Sequence, residues 1–375
     1  MHSNHFSNTE KKLLNLIKST NKLENIKSDY FIQKVMNIIE KRKSLEIIKC
    51  NKKLQKRSNI NINNYKEYSE KYSSIEIELI PNQNEYGQFI KNNEKEKDAK
   101  YYHIYFNNNK EKEIQRTNLT KNEKVSKINI IINYQITSFN LLFCNCNCIE
   151  SIYFNKFYRN NITDMSYMFY GCSSLKEIDF TNFNTFQVSN MCSMFSGCSS
   201  LKKLNLSNFN TNNLTNMSSM FNECSSLKEL NLTNFNTSLV NDMRFLFSGC
   251  SSLKELNLSK FNTNKVIDMS FMFYECSSLK ELNLSNFYTN NLVSMKSMFS
   301  KCSSLIELNI FNFNTNKVFD MSYLFYMSSA PKEIHISNFI ANNEVNMYYM
   351  LKGCLDELKL KMKQQLKNLK DEAFL

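Results

Sequence analysis

A repeat of 26 residues constrains this sequence more than any other feature. Cysteines recur at that interval, without a slip, from Cys146 to Cys302. Ser328 stands at the next place and Cys354 at the one after, so about eight copies fill residues 138–354. A unit this short cannot bury its own apolar face, and successive units must stack on one another around a continuous core.

The first half of each copy has a helical pattern. The apolar residues of Met165–Cys172 fall at i, i+3, i+4 and i+7, which is one face of a short helix. Position 164 and its equivalents are Asp, Asn or Ser in the copies that follow, which predicts a helix N-cap at each. Gly171 precedes the repeat cysteine, as glycine does in several copies, and indicates a left-handed residue that ends the helix.

The second half of each copy predicts a strand. Apolar residues at Ile178 and Phe180 alternate with polar ones, as in a strand with one buried face. An Asn-rich turn follows, where Asn tolerates left-handed backbone. Each copy is therefore predicted as helix, turn, strand, turn, and the repeats as an α/β solenoid.

The repeat phrase carries a family resemblance. Residues Asp164–Phe183 and Asp268–Phe287 follow D-M-S-x-M-F-x-x-C-S-S-L-K-E-L-N-L-S-N-F and resemble the BspA-like 26-residue leucine-rich repeat. The resemblance covers about 217 of the 375 residues. It implies a right-handed superhelix of about eight coils that is used for binding and brings no catalytic residues. Known members are surface proteins, so an adhesin at the surface or secreted is one alternative function.

Cysteine usage leads to the predicted location. The first 27 residues interrupt their apolar positions with lysines and have no small-residue cleavage site. We therefore predict a cytoplasmic protein whose twelve cysteines are thiols, with surface display or secretion without a signal peptide as the alternative. Stacked, equivalent cysteines point the same way, which favours small buried side chains over disulfides.

A metal site is the alternative for Cys144-Asn-Cys146-Asn-Cys148. Structural zinc usually takes cysteine pairs separated by two to four residues together with further ligands, and the four histidines are scattered along the chain. We therefore predict no metal and no cofactor. No phosphate loop, nucleophile elbow or zinc-protease motif occurs, so we also predict no enzyme, no catalytic residue and no small-molecule substrate.

The predicted binding surface is the strand face, meaning the polar residues between the buried positions of each strand. The same residue types, Glu and Asn, recur from coil to coil in its columns, and this uniform surface suits a protein or a repetitive polymer as partner. Phe311 and His335 interrupt the columns and suggest a local hot spot. The candidate partner-binding residues are Glu229, Asn231, Glu255, Asn257, Glu281, Asn283, Glu307, Phe311 and His335.

The positive charge lies ahead of the repeats. The chain has 47 Lys and Arg against 35 Asp and Glu, a net charge of +12, and ten of these charges fall within residues 1–137. Basic runs at Lys41–Lys43 and Lys52–Arg57 could contact nucleic acid or an anionic membrane through residues 1–73. Helical patterns over residues 29–57 also resemble the F-box that precedes leucine-rich repeats in ubiquitin-ligase substrate receptors, which is a further alternative function.

Four regions follow from these patterns. Residues 1–73 form a basic helical region, and residues 74–137 a small β region whose last strand, Ile128–Ile132, caps the solenoid. Residues 138–354 form the solenoid, and residues 355–375 a C-terminal capping helix. The function expected from the whole is a non-enzymatic scaffold for protein interaction.

Overall fold

The computed structural model describes residues 27–38, 51–59, 63–64, 66, 73–91, 102–133, 136–328, 333–335, 344–366 and 368–375. The chain divides into two compact units, Met1–Ser73 and Ser74–Leu375.

Two helices are described in the first unit, α1 (Asp29–Ile38) and α2 (Lys52–Arg57). Helix α1 confirms the helix expected after Ser28. The apolar pattern from Leu45 to Leu54 predicts a second helix, which is wrong at residue 51, because Asn51 has extended backbone and its Oδ1 accepts a hydrogen bond from Leu54 N at 3.0 Å. The Asn51 side chain therefore caps a helix that begins one residue later.

An ion pair links these helices, from Arg57 Nε to Asp29 Oδ1 at 2.6 Å. Ile32, Met36 and Leu54 are buried in the same unit. The helix expected near residues 13–17 and the basic run at residues 41–43 lie outside the described residues.

The second unit begins with six strands. The patterns at residues 75–79, 102–106 and 128–132 are confirmed as strands β1, β3 and β6. The six are β1 (Ile75–Pro81), β2 (Gly87–Gln88), β3 (Tyr102–Phe106), β4 (Glu113–Ile114), β5 (Asn118–Leu119) and β6 (Ile128–Ile132).

Strand β1 joins this β region to the repeats. It pairs antiparallel with β6 on one side and with β7 (Ile149–Lys156), the strand of the first repeat, on the other. The prediction that Ile128–Ile132 covers the first repeat is therefore wrong, because β1 lies between them in a sheet of order β4-β3-β6-β1-β7-β8. Strand β1 has seven residues, which is long enough to pair with β6 and β7 along most of their length. Its residues alternate between buried and half-buried.

The repeats stack in parallel, one 26-residue coil on the next. Glu281 lies opposite Glu307, and Glu307 opposite Glu333, so equivalent residues are in register. Isolated parallel bridges join position 164 and its equivalents from Ser138 to Asn346. The repeat strands are β8 (Glu177–Asp179), β9 (Lys203–Leu204), β10 (Glu229–Leu230), β11 (Glu281–Asn283), β12 (Glu307–Asn309) and β13 (Glu333–His335).

The helix predicted over Met165–Cys172 is wrong: this segment is a series of turns. Tyr167 N donates to Cys192 O of the next coil at 2.8 Å, whereas Met168 N donates to Met165 O at 3.3 Å within its own coil. Successive main-chain amides of this segment thus alternate between a hydrogen bond to the next coil and one within their own coil. Tyr167 has a φ of +56°, which no helix permits.

The polar residue before this segment caps a turn and not a helix. Asp164 Oδ1 accepts hydrogen bonds from Ser166 N at 2.9 Å and from Ser166 Oγ at 2.7 Å. This contact to the residue two places on is an Asx turn, which Asp and Asn form readily. The left-handed conformation expected at Gly171 is confirmed, with a φ of +69°.

The last coil is covered by the C-terminal segment. Helix α3 (Asp356–Gln365) is followed by a 3₁₀ turn, Asp371–Ala373, which supplies two acceptors: Tyr349 N donates to Glu372 O at 2.9 Å, and Leu351 N to Ala373 O at 2.7 Å. These carbonyls occupy the positions at which a further coil would supply hydrogen-bond acceptors. The expectation that Leu358 continues the strand pattern is wrong, because it lies in α3.

Candidate functional site

The strand face is divided into three sheets, with breaks between β8 and β9 and after β10, and the coil that follows β10 has no strand. Strand β10 pairs with β9, and β11 to β13 form a separate sheet. Residues 251–260, all of which are described, contain no strand. Leu256 is half-buried there, whereas its equivalents Leu230 and Leu282 are 8% and 2% exposed.

A single substitution in the repeat coincides with this interruption. At the turn after the strand, the side-chain amides of Asn182, Asn208, Asn234, Asn286 and Asn312 donate to main-chain carbonyls of the preceding coil. Asn286 Nδ2, for example, donates to Leu258 O and Phe261 O, both at 3.0 Å. The interrupted coil has Lys260 at this position, and its flexible ammonium lacks the planar geometry with which Asn182, Asn208 and Asn286 each contact, and so clamp, two carbonyls or more.

The interruption opens a groove of about 670 Å³. It spans β10 and the neighbouring irregular segment of the next coil. Nine residues line it: Lys228, Glu229, Leu230, Asn231, Thr233, Lys254, Glu255, Leu256 and Asn257. Four of the nine candidate residues, Glu229, Asn231, Glu255 and Asn257, therefore come together here.

Polar groups on two adjacent coils give the groove rows of donors and acceptors. Asn231 Oδ1 accepts from Thr233 N at 3.0 Å, and Asn257 Oδ1 from Ser259 N at 3.0 Å. Each amide is thereby oriented, and neither Nδ2 has a hydrogen-bond partner among the described residues. The groove thus presents two amide donors beside two carboxylates and two ammonium groups.

Charge in the groove is balanced and exposed. Lys228 and Lys254 face Glu229 and Glu255 as equal numbers of cations and anions. Glu229 also lies 3.5 Å from Lys203 of the preceding coil, with both side chains about three-quarters exposed. Exposed pairs of this kind contribute little to stability, so the groove can exchange them for contacts with a partner.

The other candidate residues lie outside the groove. Glu281, Asn283 and Glu307 belong to the sheet formed by β11 to β13. Phe311 is 52% exposed, and the main chain brings it beside His335, because Ile310 N donates to His335 O at 3.0 Å. The two residues that interrupt the columns are thus neighbours on adjacent coils, apart from the groove.

Sequence reasoning missed Lys260 and the two lysines at the groove's edge. The signal for Lys260 was present, because it is the lysine in a column that is otherwise Asn from Asn182 to Asn338. Lys228 and Lys254 gave no such signal, since lysine recurs at their position in most copies.

The cysteine-rich segment has the electrostatics of buried thiols. Burial raises the pKa of Cys148 to about 11 and raises the pKa of Cys146 well above its ordinary value. Because metals bind the thiolate, these shifts oppose coordination. No group of three or more His, Cys, Asp or Glu side chains is arranged to hold a metal in the part of the chain that the structure describes.

None of the helices among the described residues is long and apolar enough to cross a membrane.

Comparisons with known proteins point to one family. Residues 137–255 and 241–364 match the family described as a mycoplasma protein of unknown function, DUF285. No curated protein matches the chain.

Two solved structures are similar in part. A leucine-rich repeat protein from Bacteroides ovatus is 18% identical, with the match covering 62% of this chain and 71% of the other and a TM-score of 0.28. A leucine-rich cell surface protein from Faecalibacterium prausnitzii is 16% identical, with 56% and 84% covered and a TM-score of 0.20.

Proposed function

This chain belongs to the DUF285 family of mycoplasma proteins of unknown function, and from its own geometry we propose that it is a non-enzymatic scaffold that binds a protein partner on its strand face. The observation that carries the proposal is the groove, which collects Glu229, Asn231, Glu255 and Asn257 at a coil that has no strand.

The groove suits an extended protein segment with side chains of both charges. Lys, Glu and Asn occur at equivalent positions of the two adjacent coils and so form three short rows along the groove. The Asn231 and Asn257 amides can donate to main-chain carbonyls of the segment, while the Glu and Lys rows select its side chains. Leu256, half-buried, adds an apolar contact.

The repeat architecture that we propose around this groove is a right-handed superhelix of about eight coils of the BspA-like type. Parallel pairing of equivalent residues at 26-residue intervals supports it. We propose a cytoplasmic location, with surface display as the alternative that imaging of a tagged protein distinguishes.

The N-terminal unit is proposed to bind a second partner. Helix α2 carries Lys52, Lys53 and Lys56, a basic surface that fits nucleic acid or an anionic membrane. The F-box-like alternative predicts instead that the adaptor subunit of a ubiquitin ligase co-purifies with the chain.

Site-specific photocrosslinking tests the strand-face proposal. A photoreactive residue at Asn257 captures partners in cells, and the captured protein is purified and titrated against the full chain. We expect Glu229→Lys with Glu255→Lys to raise its Kd about tenfold or more, because two carboxylates lose their ion pairs and become repulsive.

The matched control is Glu85→Lys with Glu111→Lys, two exposed carboxylates outside the groove that give the same change in charge. It should leave the Kd unchanged. An equal loss in this control would show that added charge alone weakens binding, and unchanged binding in the double variant would remove the groove from the proposal.

A further inference from the structure

The turn face, meaning residues 166, 167 and 170 and their equivalents, carries aromatic side chains in the C-terminal half of the repeats. Phe245 and Phe271, on adjacent coils, stack with ring centroids 4.6 Å apart and an interplanar angle of 4°. Tyr274 packs edge-on against Phe271 at 5.7 Å. All three side chains are half-buried, so each keeps part of its ring accessible.

A second aromatic group lies further along the same face. The Tyr323 and Tyr326 rings are 5.4 Å apart, and those of Tyr348 and Tyr349 are 3.9 Å apart. Tyr323 also packs edge-on against Tyr349 at 5.4 Å, which joins the two coils. Lys352 Nζ lies 4.0 Å from the centre of the Tyr349 ring.

One coil of serines separates the two groups. Phe271 N donates to Lys296 O at 2.8 Å, and Ser297 N donates to Ser322 O at 2.9 Å, which places the serine coil between the aromatic ones. Ser297 and Ser300 occupy the positions of the rings and are 4% and 1% exposed. Ser297 and Ser300 thus lie beneath the surface, and the coil that carries them separates two aromatic walls, one on each side.

Two cations beside the rings, Arg244 and Lys301, are paired with carboxylates. Arg244 donates to Asp242 at 2.7 Å, and Lys301 donates to Glu275 at 2.6 Å. Lys301 Nζ also donates to the Tyr274 hydroxyl at 2.8 Å and lies 5.1 Å from the centre of that ring. Each pair presents hydrogen-bond donors and acceptors together, with little net charge.

We propose that this turn face binds a neutral polysaccharide. The apolar face of a sugar ring can pack on the exposed parts of the aromatic rings. A sugar hydroxyl both donates and accepts, so it matches the paired Lys301 and Glu275 and the tyrosine hydroxyls. Coils that repeat at regular spacing match a polymer that also repeats.

The same groups disfavour other polymers. A nucleic acid is held by many unpaired cations, whereas Arg244 and Lys301 are paired with carboxylates here, and Lys296 and Lys352 are the two cations of the described face that have no ion pair. A proline-rich segment also packs on aromatic rings, but proline has no N–H to donate to the carboxylates.

Affinity electrophoresis of the full chain tests the proposal, with xylan, mannan, β-1,3-glucan and hydroxyethylcellulose as separate probes in the gel. We expect retardation by at least one of them that persists in roughly 0.5 M NaCl, because stacking and neutral hydrogen bonds are not screened by salt. Retardation by none of the four, or retardation that salt abolishes, would overturn the proposal.

Two paired variants locate the site. Phe271→Ser with Tyr323→Ser places at each wall the residue that the chain itself has at Ser297, and should weaken binding about tenfold or more. The matched control is Tyr86→Ser with Tyr288→Ser, two exposed aromatic residues outside the turn face. Equal losses in both double variants would refute the location, and thermal melting of each variant verifies that it is folded.

A third measurement separates this surface from the strand-face groove. The Glu229→Lys, Glu255→Lys variant should keep the polysaccharide retardation of the unaltered chain. Tighter binding of a polyproline peptide than of any polysaccharide would assign the aromatic walls to a peptide partner and overturn the inference.

Discussion

The Cys276 thiol donates a hydrogen bond to the main-chain carbonyl of Phe247 in the preceding coil, at 3.1 Å. The same bond, to the carbonyl 29 residues earlier, recurs along the column, and Ser328 makes it with its hydroxyl to Phe299 O. The position requires a small side chain with one donor, which explains why cysteine and serine both occur. Equivalent thiols are those of Cys172, Cys198, Cys224, Cys250, Cys302 and Cys354.

Replacing Cys276 should separate packing from hydrogen bonding. Cys276→Ser keeps this donor for Phe247 O, whereas Cys276→Ala leaves that carbonyl with only the bond from Cys250 N, at 3.1 Å, and should cost about 0.5–1.5 kcal/mol. The urea midpoint of unfolding should therefore be lower for the alanine variant than for the serine variant. The reverse order would mean that the thiol acts only as an apolar filler.

Alkaline pH should destabilise the repeats. Burial raises the pKa of Cys250 and Cys302 to about 12, from an ordinary value of 9.0. The stability that each protonated thiol contributes is fully present below pH 9.0 and is lost as the pH rises from there towards 12, because the unfolded chain ionises first. At pH 10 the loss is on the order of 1 kcal/mol per thiol.

Urea midpoints measured from pH 7 to 10.5 check this expectation, and the decline should be shallower in Cys250→Ser, which has no thiol to ionise. Iodoacetamide labelling gives a second measure. Cys192, only partly buried, should react with the folded chain well before Cys250 does. Equal labelling rates for these two thiols in the folded chain would contradict the burial on which the pH effect depends.

Lys260→Asn should repair the interrupted coil. The amide regains the two carbonyl contacts that Asn286 makes in the next coil, which should stabilise the chain by about 0.5–1.5 kcal/mol. If the interruption creates the groove, the same change should also weaken binding of the partner that is captured at Asn257. Lys260→Gln, whose longer amide does not match the spacing, is the control, and an equal gain with Gln would argue against the clamp.

Valine at Gly197 should be poorly tolerated. Its φ is +76°, and a Cβ there would lie 3.2 Å from Gly171 Cα of the preceding coil. Gly197→Val should cost about 1–3 kcal/mol, because β-branched residues rarely adopt this backbone. Gly197→Asn should cost less, since Asn145 holds the equivalent place with a φ of +57°. Thermal melting of both variants checks this order of stability. Similar melting midpoints for the two variants would contradict it.

The pattern over Met165–Cys172 illustrates how local periodicity can be ambiguous. Its apolar residues are buried, as the spacing predicts. Consecutive turns with left-handed residues at Tyr167 and Gly171, four places apart, give the buried side chains the same spacing as a helix would. The side-chain period therefore predicted burial correctly, while the main-chain conformation depended on carbonyls of the next coil, which the segment alone does not contain.

The sequence by itself determined the period, the buried positions, the left-handed glycine and the strand columns, because each follows from side chains within one 26-residue unit. Only the tertiary structure decided that Lys260 coincides with an open groove, that β1 joins the β region to the first repeat, and that two aromatic groups face one another across serines. These features depend on distances between residues 26 or more positions apart, and stacking alone sets those distances.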